Sequence, residues 1–369
     1  MSGLCGCDMM IGRKTVNTKD AQEAKRTSAP RVLCDLLFEL LRMEGCAVAM
    51  ALALACAAMG DGDPLTAAWS VEALKKSRTA LEPLAAKINE PGPNDWLARH
   101  RETGQTFEEY LRCDPVKPEG RRRILYVQPI GEFTAQQQVV LRKTAEFLGL
   151  FYGVPVAINA ALSASVIPPK ARRVHPSWGD KQILTTYAMD EVLRPKLPAD
   201  AAAVLAFTAS DLWPGENWNF VFGQADLRDR VGVWSLYRFG NPDESPAAFT
   251  LCLRRTLKLA VHETGHMFSI LHCTAYQCGM CGSNHLGETD QRPLHFCPEC
   301  TVKVCWATQT DPVQHCARLR AFLESAGIRD EADFYRRAEE ALVRARDGKQ
   351  AIPPVKLRAS QASHGPFRE

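Results

Sequence analysis

The sequence predicts a mixed α/β fold, on two observations. From residue 124 apolar β-rich runs alternate with stretches of helical periodicity, and two further β-rich runs then follow one another across a polar turn. Neither an all-α nor an all-β chain reads this way. Ile124-Leu125-Tyr126-Val127 reads as a buried strand, and Thr134 offers an N-cap for a helix to about Leu150. Val154 to Ile158 reads as a second strand, Ile183 to Leu193 as a helix, and Ala203 to Phe207 as a third strand. The stretches 219–224 (NFVFGQ) and 231–239 (VGVWSLYRF) form the successive pair. Ser245-Pro246 then supplies an N-cap and a first helical residue. Phe249, Cys252, Leu253, Thr256, Leu257, Ala260 and Val261 recur at helical spacing, opposite Arg254, Arg255 and Lys258. One or two helices follow Pro312, through about Ala345, before a polar tail.

Upstream, the first thirty residues are polar, carry Cys5 and Cys7, and read as a poorly ordered tail. Residues 31–42 have helical spacing of apolar residues. Cys46 to Met59 is an unbroken run of apolar and small residues, shorter than the roughly 20 a membrane span needs. The run has the length of a secretory apolar segment but lies further in than such segments do. The expectation is a cytoplasmic protein with an apolar N-terminal helix. A start codon further downstream would make 46–59 an export signal or a lipid-anchoring signal ending at Cys56. The predicted organisation is an N-terminal tail (1–63), an extension (64–123) packing on the main domain (124–310), and C-terminal helices with a polar tail (311–369).

The composition, 46% hydrophobic and 24% charged over 369 residues, is that of a soluble globular protein. A net charge of +3 is too slight to mark a nucleic-acid or anionic-membrane binder, so neither partner is expected. The clusters Arg121, Arg122, Arg123 and Lys170, Arg172, Arg173 read as solvated flanks of ordered elements. Seven of the fourteen cysteines lie between Cys273 and Cys316, and six of the nine histidines between His262 and His315. In a chain this long, so dense a cluster points to metal ligation rather than a disulfide framework.

Residues 262–272 read HETGHMFSILH. On a helix His262 and His266 stand one turn apart on one face, with Glu263 beside them. With His272, three neutral imidazoles leave one position of a tetrahedral zinc open, as a catalytic site requires. The expected chemistry is peptide hydrolysis by zinc-activated water with Glu263 as general base.

The stretch from His262 to Cys300 resembles the metzincin clan and, more narrowly, the archaemetzincin family of zinc metallopeptidases. The likeness rests on the three-histidine motif, Cys273 directly after the third His, then Cys278, Met280, Cys297 and Cys300. TGQTFEEYL at 103–111, YVQPIG at 126–131 and DLWPGENWNFVFGQAD at 211–226 are also similar to family text, so the resemblance covers roughly residues 90–310. It implies a metzincin-like mixed twisted sheet, an active-site helix and a zinc-bound C-terminal subdomain. It also implies an upper-edge strand near Phe220–Gln224 for a peptide substrate, and Met280 as the apolar floor beneath the catalytic zinc. One departure stands out. The motif usually has Gly where this chain has Ser269, and a serine in a left-handed turn costs about 1–2 kcal/mol.

Read from spacing alone, Cys278-x-x-Cys281 and Cys297-x-x-Cys300 pair as a zinc-ribbon knuckle. The resemblance implies Cys273, Cys278, Cys297 and Cys300 instead, making two zinc ions per chain, one catalytic and one structural. Cys305 and Cys316 read as plain thiols, and His285 and His295 as non-ligating. Tyr276, Asn284 and His285 are candidates for stabilising an oxyanion. The expected partner is a peptide or protein substrate, and the expected state a monomer. A catalytically silent two-zinc scaffold that binds peptides is the alternative, motivated by Ser269.

Overall fold

The computed structural model describes residues 69–348. The tail before residue 31, the helical 31–42 stretch, the Cys46–Met59 run and the polar C-terminus all lie outside those residues. The described chain opens with α1 (Val71–Leu81), capped by Ser70, then a single helical turn (Trp96–Arg99) and α2 (Phe107–Arg112). α2 starts on a capping box. The Thr106 hydroxyl accepts the Glu109 N–H, and the Glu109 carboxylate accepts the Thr106 N–H.

β1 (Ile124–Ile130) extends past Val127 because its parallel pairing with a later strand continues to Ile130↔Thr208. α3 (Ala135–Tyr152) starts on Thr134 as predicted, with a capping box to Gln137. β2 (Val156–Ile158) follows. Next come β3 (Arg172–Val174) and β4 (Lys181–Leu184), which correct the reading of a helix from Ile183. Ile183 pairs with Leu212 in a sheet, and helical turns begin only at Thr185 and run on through Ala188–Leu193. Ile183, Ala188, Met189, Val192 and Leu193 all enter one apolar cluster. A strand end and a helical stretch therefore share a face that the spacing alone cannot divide. Arg121, Arg122, Arg123, Lys170 and Arg172 are exposed, as expected of flanks. Arg173 is not. It is half-buried and donates to Gln182 Oε1 at 2.7 Å and to the Trp218 and Asn219 carbonyls.

β5 (Ala201–Thr208), β6 (Asp211–Trp213), β7 (Gly223–Ala225) and β8 (Val231–Ser235) complete the strands. The run 219–224 is strand only at its end, because the Asn219 carbonyl is taken by the Arg173 and Gln182 side chains. The run 231–239 stops at Ser235, whose hydroxyl accepts the Tyr237 N–H and turns the chain into the 3-10 turn Tyr237–Phe239. The helices α4 (Pro246–Met267), α5 (Leu286–Gln291), α6 (Pro298–Thr308), α7 (Pro312–Ser325) and α8 (Arg329–Arg346) follow.

The main sheet is mixed and has the order β2-β1-β5-β8-β7, parallel except for the antiparallel edge strand β7. A second, three-stranded sheet has the order β3-β4-β6. β5 is buried on both sides, as a central parallel strand must be. Ala203, Leu205 and Phe207 join the cluster with α3 and α4, while Val204 and Ala206 face the cluster of the second sheet. Among the described residues no helix is long and apolar enough to cross a membrane.

The cap on α3 is testable. Thr134→Ala should lower unfolding stability by about 1 kcal/mol in urea titration, by leaving the helix N-terminus unpaired. An unchanged midpoint would contradict this.

Candidate metal centre

α4 is set by Ser245, whose hydroxyl accepts the Ala248 N–H, with Pro246 at the first helical position. Its last turns are buried, including His262, Glu263 and His266. The helix then stops in a Schellman arrangement, in which Ile270 N donates to Gly265 O at 3.0 Å and Ser269 N to His266 O at 2.8 Å. Ser269 takes the left-handed conformation at φ 62°. Its hydroxyl accepts the Val116 N–H at 3.1 Å and donates to Leu227 O at 3.3 Å, two contacts a glycine cannot make. The left-handed turn is thus built here on serine and held by its hydroxyl's hydrogen bonds.

That reversal returns His272 to the helix. The ring nitrogens available from His262, His266 and His272 lie within 4.8 Å of one another. His262 Nε2 and His266 Nε2 face each other at 2.9 Å. Every Nδ1 is committed elsewhere: His262 to Gly279 O at 2.9 Å, His266 to Ile270 O at 2.7 Å, and His272 to the Glu102 carboxylate at 2.9 and 3.0 Å. Such acceptors put the proton on Nδ1 and leave the Nε2 lone pairs bare and convergent. Burial first, then the neighbouring His272, pushes His262 down to about 3. Burial and both neighbours push His266 well below its ordinary value. Buried, neutral imidazoles whose lone pairs face each other repel, unless a cation sits between them. The residues therefore fit zinc on their own chemistry.

Glu263 is buried against Gly223 of β7, and burial pushes its carboxyl up to about 8. Met280 is fully buried, with its sulfur against α4 at Gly265, where a Cβ would come within 2.6 Å of it. The turn carrying it is tied to both clusters. Gly279 O accepts from His262, and Met280 O accepts the Cys273 N–H at 2.8 Å. A partly open pocket borders His262 and is lined by Leu259, Phe222, Phe239, Lys258 and Arg292. Lys258 is pushed down to about 8 by burial, and its ammonium donates to the Thr289, Asp290 and Arg292 carbonyls.

Sγ atoms of Cys273, Cys278, Cys297 and Cys300 form a second buried group within 4.8 Å. Cys278 Sγ accepts the Met280 and Cys297 N–H groups at 3.4 and 3.2 Å, while burial pushes its thiol well above the ordinary value. Hydrogen bonds from Cys278, Cys281, Cys297 and Cys300 hold the Cys273 thiol far below its ordinary value. Cys281 is not one of the four, and its sulfur also lies 3.1 Å from Tyr276 O. All the described cysteines are free thiols, with Cys305 and Cys316 buried in the core.

The spare histidines have other work. His295 stacks on Phe334 at 3.4 Å and bonds Glu331 at 2.7 Å, and His285 meets Asp95 at 3.3 Å. Asp95, His285 and Glu288 also lie within 4.8 Å of one another. Glu288, however, is already saturated by the Trp96 and Asn284 N–H groups and by Arg292. Asn284 bonds Asn94 O, and Tyr276 packs under Lys87. None of these contacts of Tyr276, Asn284 and His285 is to the three histidines. Sequence reading passed over Glu102, which lies 170 residues before His272 and one residue before the family-like TGQTFEEYL stretch.

The serine turn yields a paired test. Ser269→Ala keeps the left-handed strain and removes both hydroxyl contacts, so it should destabilise the protein by about 1–2 kcal/mol. Ser269→Gly loses the contacts but relieves strain of about 1–2 kcal/mol, so it should stay near wild type. Equal effects in thermal denaturation would contradict the role given to the hydroxyl.

Residues 200–305 match the model of peptidase family M54. The chain is 33% identical over 246 residues to Archaemetzincin-2 of Homo sapiens, an alignment covering 58% of this chain and 67% of that protein. It is 30% identical over 190 residues to the Archaemetzincin of Thermococcus kodakarensis, covering 49% of this chain and 95% of that one. A crystal structure of archaemetzincin from Methanopyrus kandleri is 27% identical, with 52% of this chain and 99% of that chain covered and a TM-score of 0.42. The chain belongs to the archaemetzincin family, peptidase family M54, and is a zinc metallopeptidase.

Proposed function

We propose that the chain hydrolyses peptide bonds at a zinc held by His262, His266 and His272, with Glu263 as general base. In this reading a second, structural zinc is held by Cys273, Cys278, Cys297 and Cys300, and the substrate is a peptide or protein. The observation that carries it is the convergence of three Nε2 atoms whose Nδ1 partners are all committed to acceptors. Zinc bound there supplies Lewis acidity toward the scissile carbonyl and makes water a nucleophile near neutral pH. Glu263, adjacent to His262 and buried beneath β7, takes a proton from the attacking water and returns it to the leaving amine. β7 is the terminal strand of the main sheet, suited to receive an extended peptide by strand addition. The pocket beside His262 offers apolar walls, from Leu259, Phe222 and Phe239, to one substrate side chain. The four thiols form a closed set with no open position, so a metal they held would brace the loop after His272 and would have no site for substrate.

Two variants test this. Glu263→Gln should lower cleavage of a fluorogenic peptide library by about 10²–10⁴-fold and leave metal content at the wild-type value. Cleavage at the wild-type rate would remove Glu263 from the mechanism. Cys278→Ser should release one zinc and lower the melting temperature. A protein that keeps its full zinc complement and stability would contradict the cysteine assignment.

A further inference from the structure

The three imidazoles are not held alike. His262 and His266 stand on α4, and each gives its Nδ1–H to a backbone carbonyl of the nearby chain, Gly279 and Ile270. His272 lies beyond the helix end in irregular chain, and its Nδ1 partner is a side chain from the segment before β1. Both Glu102 oxygens lie within hydrogen-bond reach of that nitrogen, at 2.9 and 3.0 Å. About a quarter of the Glu102 side chain is exposed, against 4% of His272.

We propose that Glu102 is a positioning residue of the histidine site. Its carboxylate accepts the His272 Nδ1–H, fixes the tautomer and ring orientation that aim Nε2 at the other two imidazoles, and places a negative charge against the third imidazole. The inference rests on the reading of these histidines as zinc ligands. A carboxylate is a stronger acceptor than a carbonyl and raises the basicity of the imidazole it holds. It therefore compensates for a ligand that no helix orients.

The segment bearing Glu102 has further anchors besides the Glu102–His272 bond. Trp96 is 1% exposed, and its N–H donates to the Glu288 carboxylate. The Gln105 amide donates to Ser269 O and accepts the Leu271 N–H, both at 3.3 Å, while Lys303 donates to the Gln105 carbonyl. The Trp96 ring meets His272 edge-on at 5.2 Å and stacks on His100 at 3.8 Å. The hydrogen bonds of the Trp96 backbone N–H, Gln105 and Lys303 do not use the Glu102 carboxylate.

The test compares the full-length wild type with Glu102→Ala, Glu102→Gln and His262→Ala. Zinc affinity of each site is read by competition with a chelating indicator, and the ligand-field bands of the cobalt(II)-loaded proteins report geometry. Glu102→Ala should weaken one of two sites by about 10–100-fold and shift its cobalt bands, leaving the other site as in wild type. His262→Ala should abolish that same site. Glu102→Gln, isosteric and still an acceptor but uncharged, should fall between wild type and Glu102→Ala, and it carries the comparison if Glu102→Ala does not fold. Unchanged affinities and cobalt bands in the Glu102 variants, with one site lost in His262→Ala, would overturn the role of Glu102 alone. If His262→Ala also keeps both sites, the zinc-ligand reading fails and the role of Glu102 with it.

Discussion

Two buried imidazole nitrogens facing each other at 2.9 Å, with their other nitrogens already spent on carbonyls, form an arrangement that is unfavourable without a cation between them. Much of the C-terminal half is organised to produce it. α4 must stop one residue after His266 and reverse through a left-handed turn, so that Ile270 O reaches His266 and His272 folds back. The turn at Gly279-Met280 must lie flat against Gly265 so that its carbonyls reach His262 and Cys273. The segment before β1 must cross the site so that Glu102 meets His272.

The two clusters are mechanically one unit. His272 and Cys273 are consecutive, and Cys278 and Met280 share the turn that bonds His262. The cysteine group thus holds the same loop that the histidine group needs. Cys297 and Cys300 attach that loop to α6, whose other residues sit in the core around α3 and α7. In the proposed reading, a metal bound by the four thiols would couple its binding free energy to the placement of the third imidazole.

Much of this was legible in the sequence, for a physical reason. His262, His266, His272 and the four cysteines fall within 39 consecutive residues, so their spacing encodes the geometry directly. Thr134 and Ser245 were legible as caps because capping chemistry is local. The three-stranded sheet was not, because β3, β4 and β6 are three or four residues long and carry no readable period. Ile183 was misread for the same reason. Glu102 was invisible because its meaning depends on a partner 170 residues away. Ser269 read as a departure from the family pattern, and only the folded chain supplies the Val116 and Leu227 partners that hold its hydroxyl.

The proposed function requires that one chain carry an all-imidazole cage and an all-thiolate cage. Zinc K-edge X-ray absorption on the purified wild type tests it most directly. The claim predicts an average shell of about two sulfurs near 2.3 Å and two nitrogen or oxygen atoms near 2.0–2.1 Å per zinc, from equal occupancy of the two sites. A shell of sulfur alone, or of nitrogen and oxygen alone, would contradict it.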